Sequence, residues 1–413
     1  MLPSLAATPP REGATCAKSG ATMTYKNKQF NCKKSGKKLV WSKGVEIKKE
    51  ALASPSAKPS ATPLPSSSAT YSDQPKKYSV EMSKAHLPKA PPGGTDDYRC
   101  FLLDPKVTED SIVRSIEFIP QQKNYVHHAI IFRVSKANLA EAIERDRSGT
   151  GWSCFGGSGL GGMVSSFVTS PWISAWGPGR GKDLSPDGYG IPFNKGEQFV
   201  LQVHYNLLAA PDGKIETDQS TIVMEAIPAS STNIKPLNIE LFAAPVELAC
   251  PQGVTGLLCD RGESLKDLAK RTDSTNAIEA LGIAAICGRN PLQVTPSNLT
   301  SCNRNINSSY TVISAAPHMH LLGRKMRIIL NPGTTREKIL LNVDNYDFDN
   351  QSPVLLKTPV EVTRGDVIRL ECTHDPILRQ ILPALKNQPP RYVTWGEGSS
   401  DEMCLGVLSV SRN

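Results

Sequence analysis

The chain lacks several things at once, and each absence narrows its class. No apolar run approaches the ~18–20 residues that a membrane-crossing helix needs, which argues against a helical span. No CxxC pair is present, which removes the zinc-ribbon and thioredoxin-like readings. The glycine steps at Gly156-Gly157, Gly159 and Gly161-Gly162 are not followed by Lys-Ser/Thr, so they form a loop and not a phosphate cradle. Nucleic-acid motifs and internal repeats are also missing. Histidine is scarce, with seven in 413 residues: His86, His127, His128, His204, His318, His320 and His374.

The net charge is +8, unevenly spread. Lys26, Lys28, Lys33, Lys34, Lys37, Lys38, Lys43, Lys48 and Lys49 crowd the first fifty residues, a solvated basic segment that also suits cell-surface attachment to an anionic layer. Residues 1–50 read as a small accessory unit, a hairpin stapled by Cys16–Cys32 because its apolar content is too small for a core of its own. Residues 51–75, rich in Ala, Ser, Pro and Thr, read as a linker. The ten cysteines are even in number and stand in loop-like surroundings, which predicts disulfides and an oxidising compartment, hence a secreted or surface-exposed protein. Met1–Ala7 reads as the remnant of a secretory leader. Asn298-Leu299-Thr300 and Asn307-Ser308-Ser309 fit glycosylation sequons.

From Lys76 onward, strand-like runs recur at short intervals with turn residues between them. They include Asp97–Leu103, Ser115–Pro120, Asn124–Val134, Gln198–Asn206, Thr221–Ala226, Ile234–Phe242, Tyr310–Ile313, Lys325–Leu330 and Val367–Cys372. A short helix is expected over Leu139–Arg147, and 148–190 reads as mostly loop. This pattern predicts an all-β fold of sandwich type, divided at residues 76–230 and 231–413. An insertion at 250–305 carries Cys250, Cys259, Cys287 and Cys302 and a helical pattern around Leu265–Ala285. Four cysteines there imply two local bridges whose pairing the sequence leaves open.

Five of the seven histidines fall in three strand-like segments. His318 and His320, two apart after Tyr310–Ile313, are expected on one face of a strand. His127 and His128 are adjacent and would face opposite sides. They share a metal only if the backbone bends there or the two rings use different nitrogens. His204 supplies a third imidazole, and an all-nitrogen set suits copper or zinc. Met403 follows the polar turn Gly396–Glu402 and offers a soft thioether. His318, His320 and Met403 therefore describe a copper site biased toward Cu(I).

Five segments in order carry a likeness: Asp97-Tyr98-Arg99-Cys100, Val126-His127-His128, Leu201-Gln202-Val203-His204-Tyr205, His318-Met319-His320-Leu321-Leu322-Gly323 and Ser399-Ser400-Asp401-Glu402-Met403-Cys404. Over roughly 95–410 the chain resembles the copper type II, ascorbate-dependent monooxygenases, the family of peptidylglycine α-hydroxylating and dopamine β-monooxygenase. The resemblance implies two antiparallel, jelly-roll-like β-sandwich domains facing across a solvent-filled cleft, each with one copper. It assigns His127, His128 and His204 to an electron-transfer copper, and His318, His320 and Met403 to the copper that meets dioxygen. It implies hydroxylation of a C–H bond, with ascorbate or a similar small reductant feeding two electrons. It also pairs Cys100 with Cys154 and Cys372 with Cys404. The chain departs from the peptide-amidating members at Val312–Ala316, where no arginine precedes the HxH motif, and at Leu405–Ser409. With no carboxylate clamp, a neutral or apolar small-molecule substrate is expected. The alternatives are a secreted copper-storage protein without catalysis and a structural cell-surface protein.

Overall fold

A computed structural model describes residues 12–16, 22–25, 28–36, 38–43, 45–46, 74–134, 136–161, 172–178, 180–231, 233–272 and 274–412. Apart from 74 and 75, the expected linker lies outside the described residues, as does the leader-like Met1–Ala7. The chain divides into two compact units, Met1–Ser68 and Ala69–Asn413. In the first, strands Thr22–Tyr25, Lys28–Ser35, Lys38–Trp41 and Val45–Glu46 form a small antiparallel sheet. Among the described residues its buried apolar cluster is Phe30, Cys32 and Trp41, with Cys16 and Leu39 packed against it. So small a core needs the Cys16–Cys32 bond that is present.

Strands dominate the regular structure of the larger unit and nearly all of them pair antiparallel, so the all-β expectation holds. A five-stranded sheet runs in the order Trp172–Trp176, Val126–Val134, Gln198–Asn206, Asp96–Leu103, Trp152–Ser153. Phe101, Ile131, Phe199, Leu201 and Val203 on one of its faces share a core with Val113, Ile116, Phe193, Ile222 and Met224 of a six-stranded sheet. The other face is covered too. Val200, Ile130 and Phe132 pack there with Trp152, the Cys100–Cys154 disulfide and Ala142 of the helix Leu139–Arg145. Gln198–Asn206 accordingly alternates, Phe199, Leu201, Val203 and Tyr205 facing the first core and Val200, Gln202 and His204, buried as well, facing the second. His204 projects on this second face, in step with Val200 and Gln202.

The C-terminal half repeats the theme with two four-stranded sheets. One joins Asn238–Ala243, Leu405–Ser411, Tyr310–His318 and Val354–Val362. The other joins Leu299–Asn305, Val367–His374, Gly323–Leu330 and Lys338–Val343. Val312, Leu408 and Val410 of the first meet Ile328, Ile368 and Leu370 of the second in one core. Cys372–Cys404 ties the two sheets together.

Two expectations need correction. Ile234–Phe242 is not one strand: Lys235–Pro236 pairs in parallel with Tyr189–Gly190 of the six-stranded sheet, and only Asn238–Ala243 joins the C-terminal half. Pro236, which has no N–H to donate, sits at that sheet's edge, where a missing donor costs little. The helical pattern in the insertion is two helices, Arg261–Arg271 and Ser274–Ile286. Cys250–Cys259 precedes the first and Cys287–Cys302 follows the second, which settles the pairing there. The 148–190 stretch, read as mostly loop, also contributes the strands Trp152–Ser153, Trp172–Trp176, Asp183–Leu184 and the start of Tyr189–Phe193.

Candidate metal centres

The register between Gln198–Asn206 and Val126–Val134 slips at one point. His204 lies opposite His128, yet Tyr205 lies opposite Val126, so His127 is the extra residue of a β-bulge. The bulge turns His127 to the same side as His128, which ordinary alternation forbids. Of the two routes left open by the sequence, backbone bending is the one used, because both rings present the same nitrogen. Nδ1 of His127 lies 3.3 Å from Nδ1 of His128 and 3.4 Å from Nδ1 of His204, and the third side is 3.2 Å. A point equidistant from three such atoms lies about 1.9 Å from each, close to the ~2.0–2.1 Å of a metal–imidazole bond. Among the described residues this is the one cluster of three His, Cys, Asp or Glu side chains with metal-holding geometry.

The group behind His204 fixes its tautomer. Asp96 Oδ1 stands 2.8 Å from His204 Nε2, a carboxylate that receives the distal proton and leaves Nδ1 free. Burial alone would raise the Asp96 carboxyl, but the hydrogen bond and charge of His204 outweigh it and hold the group well below the usual range. Burial, with charge on the neighbouring imidazoles, pushes His127 and His128 well below the ordinary histidine value. They are therefore neutral at pH 7, the form that ligates metals. Tyr98 stacks on His204 at 4.1 Å between ring centroids, and its hydroxyl donates to Glu397 O while lying 3.0 Å from His204 Nδ1. Gln202 donates to Cys154 O and Gly157 O at 2.8 Å each, so it braces the loop beside the site and does not enter it.

His318 is the last residue of its strand, and His320 lies beyond it in the turn before Gly323–Leu330. Strand alternation therefore does not set both rings. Their centroids are 5.4 Å apart at 89°. What fixes His320 is the fully buried carboxylate of Glu402, which accepts from His320 N at 3.0 Å, Leu322 N at 2.6 Å and Met403 N at 3.1 Å. His374 Nε2 lies 3.3 Å from the same carboxylate and 3.1 Å from Met403 O. His320 Nδ1 faces Asp401 O at 3.3 Å, which leaves Nε2 buried and without a partner among the described residues. His318 Nδ1 faces Gln351 Oε1 at 2.5 Å, and its Nε2 is then the ring's other ligating atom. Burial, reinforced by His320, pushes His318 down to about 3, and burial lowers His320 as well. Met403 is buried in the core of this half, two residues on from Asp401. It sits next to the Cys372–Cys404 bond.

The two sets of histidines face each other, and side chains stand in the gap between them. The rings of His128 and His318 stand 5.8 Å apart at 90°. Phe348, from the loop after Lys338–Val343, stacks on His127 at 4.3 Å and lies 6.3 Å from His320. That loop also supplies Gln351, so its apolar and amide side chains occupy the space. Asp96, Tyr98, Phe348, Gln351, His374 and Glu402 were not assigned roles from sequence. Tyr98 and Glu402 lie inside the quoted motifs and Asp96 immediately precedes one, which was the available signal. Phe348 and Gln351 gave none.

Residues 291–409 match the family described as copper type II ascorbate-dependent monooxygenase, C-terminal domain. The match contains His318, His320, His374, Glu402 and Met403, and not His127, His128 or His204. No curated protein matches the chain. Among solved structures it is similar to a Paenibacillus xanthan lyase, at 10% identity and TM-score 0.18, over 83% of this chain and 25% of that one. It is also similar to the VP2 subviral particle of infectious bursal disease virus, at 8% identity and TM-score 0.17, over 82% and 72%. The chain spans a quarter of the length of that lyase, and likenesses at these TM-scores carry no argument.

Proposed function

We propose that this chain, whose residues 291–409 belong to the C-terminal domain family of the copper type II ascorbate-dependent monooxygenases, is a reductant-fed dicopper monooxygenase hydroxylating a C–H bond of a small neutral or apolar substrate. The observation that carries the reading is the triangle of three Nδ1 atoms, 3.2–3.4 Å on a side, outside the matched region but beside it in space. His127, His128 and His204 would hold one copper, and His318, His320 and Met403 the other. Bound copper supplies one-electron transfer and the activation of dioxygen, which protein side chains do not provide.

This chain's own residues supply orientation and insulation. Asp96 and Asp401 O hold the distal or proximal ring proton so that the ligating nitrogen stays bare. Glu402 locks the turn bearing His320 to the segment bearing Met403, so the ligands arrive pre-positioned. Phe348 gives the space between the histidine sets an apolar wall. No arginine stands just before His318 to receive a carboxylate, which favours a substrate without one. The disulfides accord with an extracytoplasmic setting, and the lysine-rich first unit with attachment to an anionic surface.

The test is copper content by anomalous scattering together with ascorbate-dependent oxygen uptake across a panel of small hydrocarbons, alcohols and amines. Two coppers and substrate-stimulated uptake are expected. Copper bound without turnover on any substrate would leave a storage protein instead.

A further inference from the structure

We infer that Arg271, on the first helix of the insertion, is a positioning residue for the second histidine pair, acting through the main chain of Asp401. The inference rests on the copper reading above. The insertion is not a loose loop. Asp260 caps the helix Arg261–Arg271, accepting from Glu263 N at 2.9 Å, and Cys250–Cys259 pins the chain just before it. The helix then lies along the segment that leads to Met403. Ser264 Oγ donates to Tyr392 O at 2.6 Å, and Asp267 accepts from Arg391 at 2.7 Å. At its last turn Arg271 grips Asp401 bidentately, Nη1 reaching Oδ2 at 2.9 Å and Nη2 reaching Oδ1, while its Nε donates to Asp267 at 2.8 Å.

Arg271 and Asp401 are 5% and 3% exposed. A charge pair so deeply buried adds little net stability over an apolar substitute, so what it contributes is a fixed geometry. The approach is close by construction. A Cβ on Gly398 would meet Asp401 Oδ2 at 2.8 Å and Arg271 Nη1 at 3.2 Å. One on Gly396 would meet Asp401 Cβ and Leu268 Cδ1 at 3.0 Å each. Glycine at both positions lets helix and segment touch. What the grip holds is a carbonyl: Asp401 O faces His320 Nδ1, so the ring proton sits there and the buried Nε2 stays bare for a metal. The path is guanidinium, carboxylate, main chain, imidazole.

The full chain is compared with Arg271→Met, Arg271→Lys and Asp401→Asn. Three measurements are made on each: Cu(I) affinity at both sites by chelator competition, the sulfur scattering shell at the copper edge, and the imidazole 15N shifts of His320 in metal-free protein. Arg271→Met is expected to weaken the second site roughly ten- to hundredfold, blur the sulfur shell, and mix the His320 tautomers, while the three-histidine site changes little. Arg271→Lys should recover part of this. A folded Arg271→Met with unchanged affinities and an unmixed tautomer would overturn the inference, as would equal weakening at both sites. Should Arg271→Met fail to fold, Asp401→Asn, which keeps the carbonyl and the shape, decides the matter by the same criteria. Should the parent chain bind no copper, the monooxygenase reading fails, and the tautomer measurement alone still judges Arg271.

Discussion

Replacing Asp96 by asparagine removes one negative charge and almost no volume. In the parent chain Oδ1 accepts from His204 Nε2 at 2.8 Å, with both groups buried, and Asp96 is ionised at pH 7 because its folded carboxyl lies well below the ordinary range. A hydrogen bond to a charged group contributes about 1.5–3 kcal/mol against about 0.5–1.5 for a neutral one, so the loss is on the order of 1–1.5 kcal/mol. Asparagine can also turn its amide and donate to Nε2, which drives the ring proton onto Nδ1, the atom that would ligate. The expected result is roughly tenfold weaker copper binding at the three-histidine site, about 1.4 kcal/mol. A ratiometric Cu(I) chelator measures it, with the second site as internal reference. Asp97→Asn is the matched control, since Asp97 pairs with His86, 2.8 Å away, and not with a candidate ligand. Unchanged affinity in folded Asp96→Asn would refute the reasoning, and so would a loss matched by Asp97→Asn.

Met403→Ala should abolish turnover and strip the second copper while the three-histidine copper stays largely bound; copper stoichiometry checks this. The cavity left by a buried methionine should also lower stability by about 2–5 kcal/mol, read from denaturant midpoints. Metal-free protein should be acid-sensitive for a stated reason. The folded values of His127, His128, His318 and His320 are all depressed, His318 to about 3, so between the unfolded value near 6.5 and those folded values the unfolded chain binds more protons. Their contribution is complete above about pH 6.5 and is lost as pH falls toward the folded values, by up to about 1.4 kcal/mol per pH unit for each ring. Chelated protein with a flat denaturant midpoint from pH 7 to 4 would contradict it. Deleting residues 1–75 should leave copper content and oxygen uptake unchanged, since the first unit has its own small core and disulfide.

Strand-forming runs were legible because period and composition act locally. Gln198–Asn206 was bounded correctly to the residue, and Val126–Val134 to within two. Candidate ligands were legible because histidine is rare and these five fall in only three strand-like runs. The bulge at His127 was not, because a register slip is decided by the partner strand 77 residues away and leaves no mark in Val126-His127-His128 itself. His320 was assigned to a strand on the strength of a two-residue spacing, but its position is set by Glu402, 82 residues on. Phe348 and Gln351 stand in the space between the histidine sets. Those two residues belong to a loop with no motif, so only the folded chain reveals that they reach the rings.

The contacts along residues 397–401 tie the two histidine sets to one stretch of main chain. Glu397 O accepts from Tyr98, which stacks on His204; Ser399 Oγ lies 3.5 Å from His204 Nε2; Asp401 O faces His320 Nδ1. A disturbance of that stretch can therefore reach both sites, and strict independence is not the natural expectation. The geometry still ranks the effects. Asp96 touches His204 directly and reaches His320 through intermediaries, this segment and Phe348 among them, whereas Arg271 grips Asp401 and approaches His204 by way of Gly398 and Asp96. Each substitution should weaken its near site first and the far one less. Asp96→Asn combined with Arg271→Met should then cost more at either site than the nearer change alone. Near and far effects in the reverse order would mean that the 397–401 segment, and not the rings' own partners, sets the geometry of both.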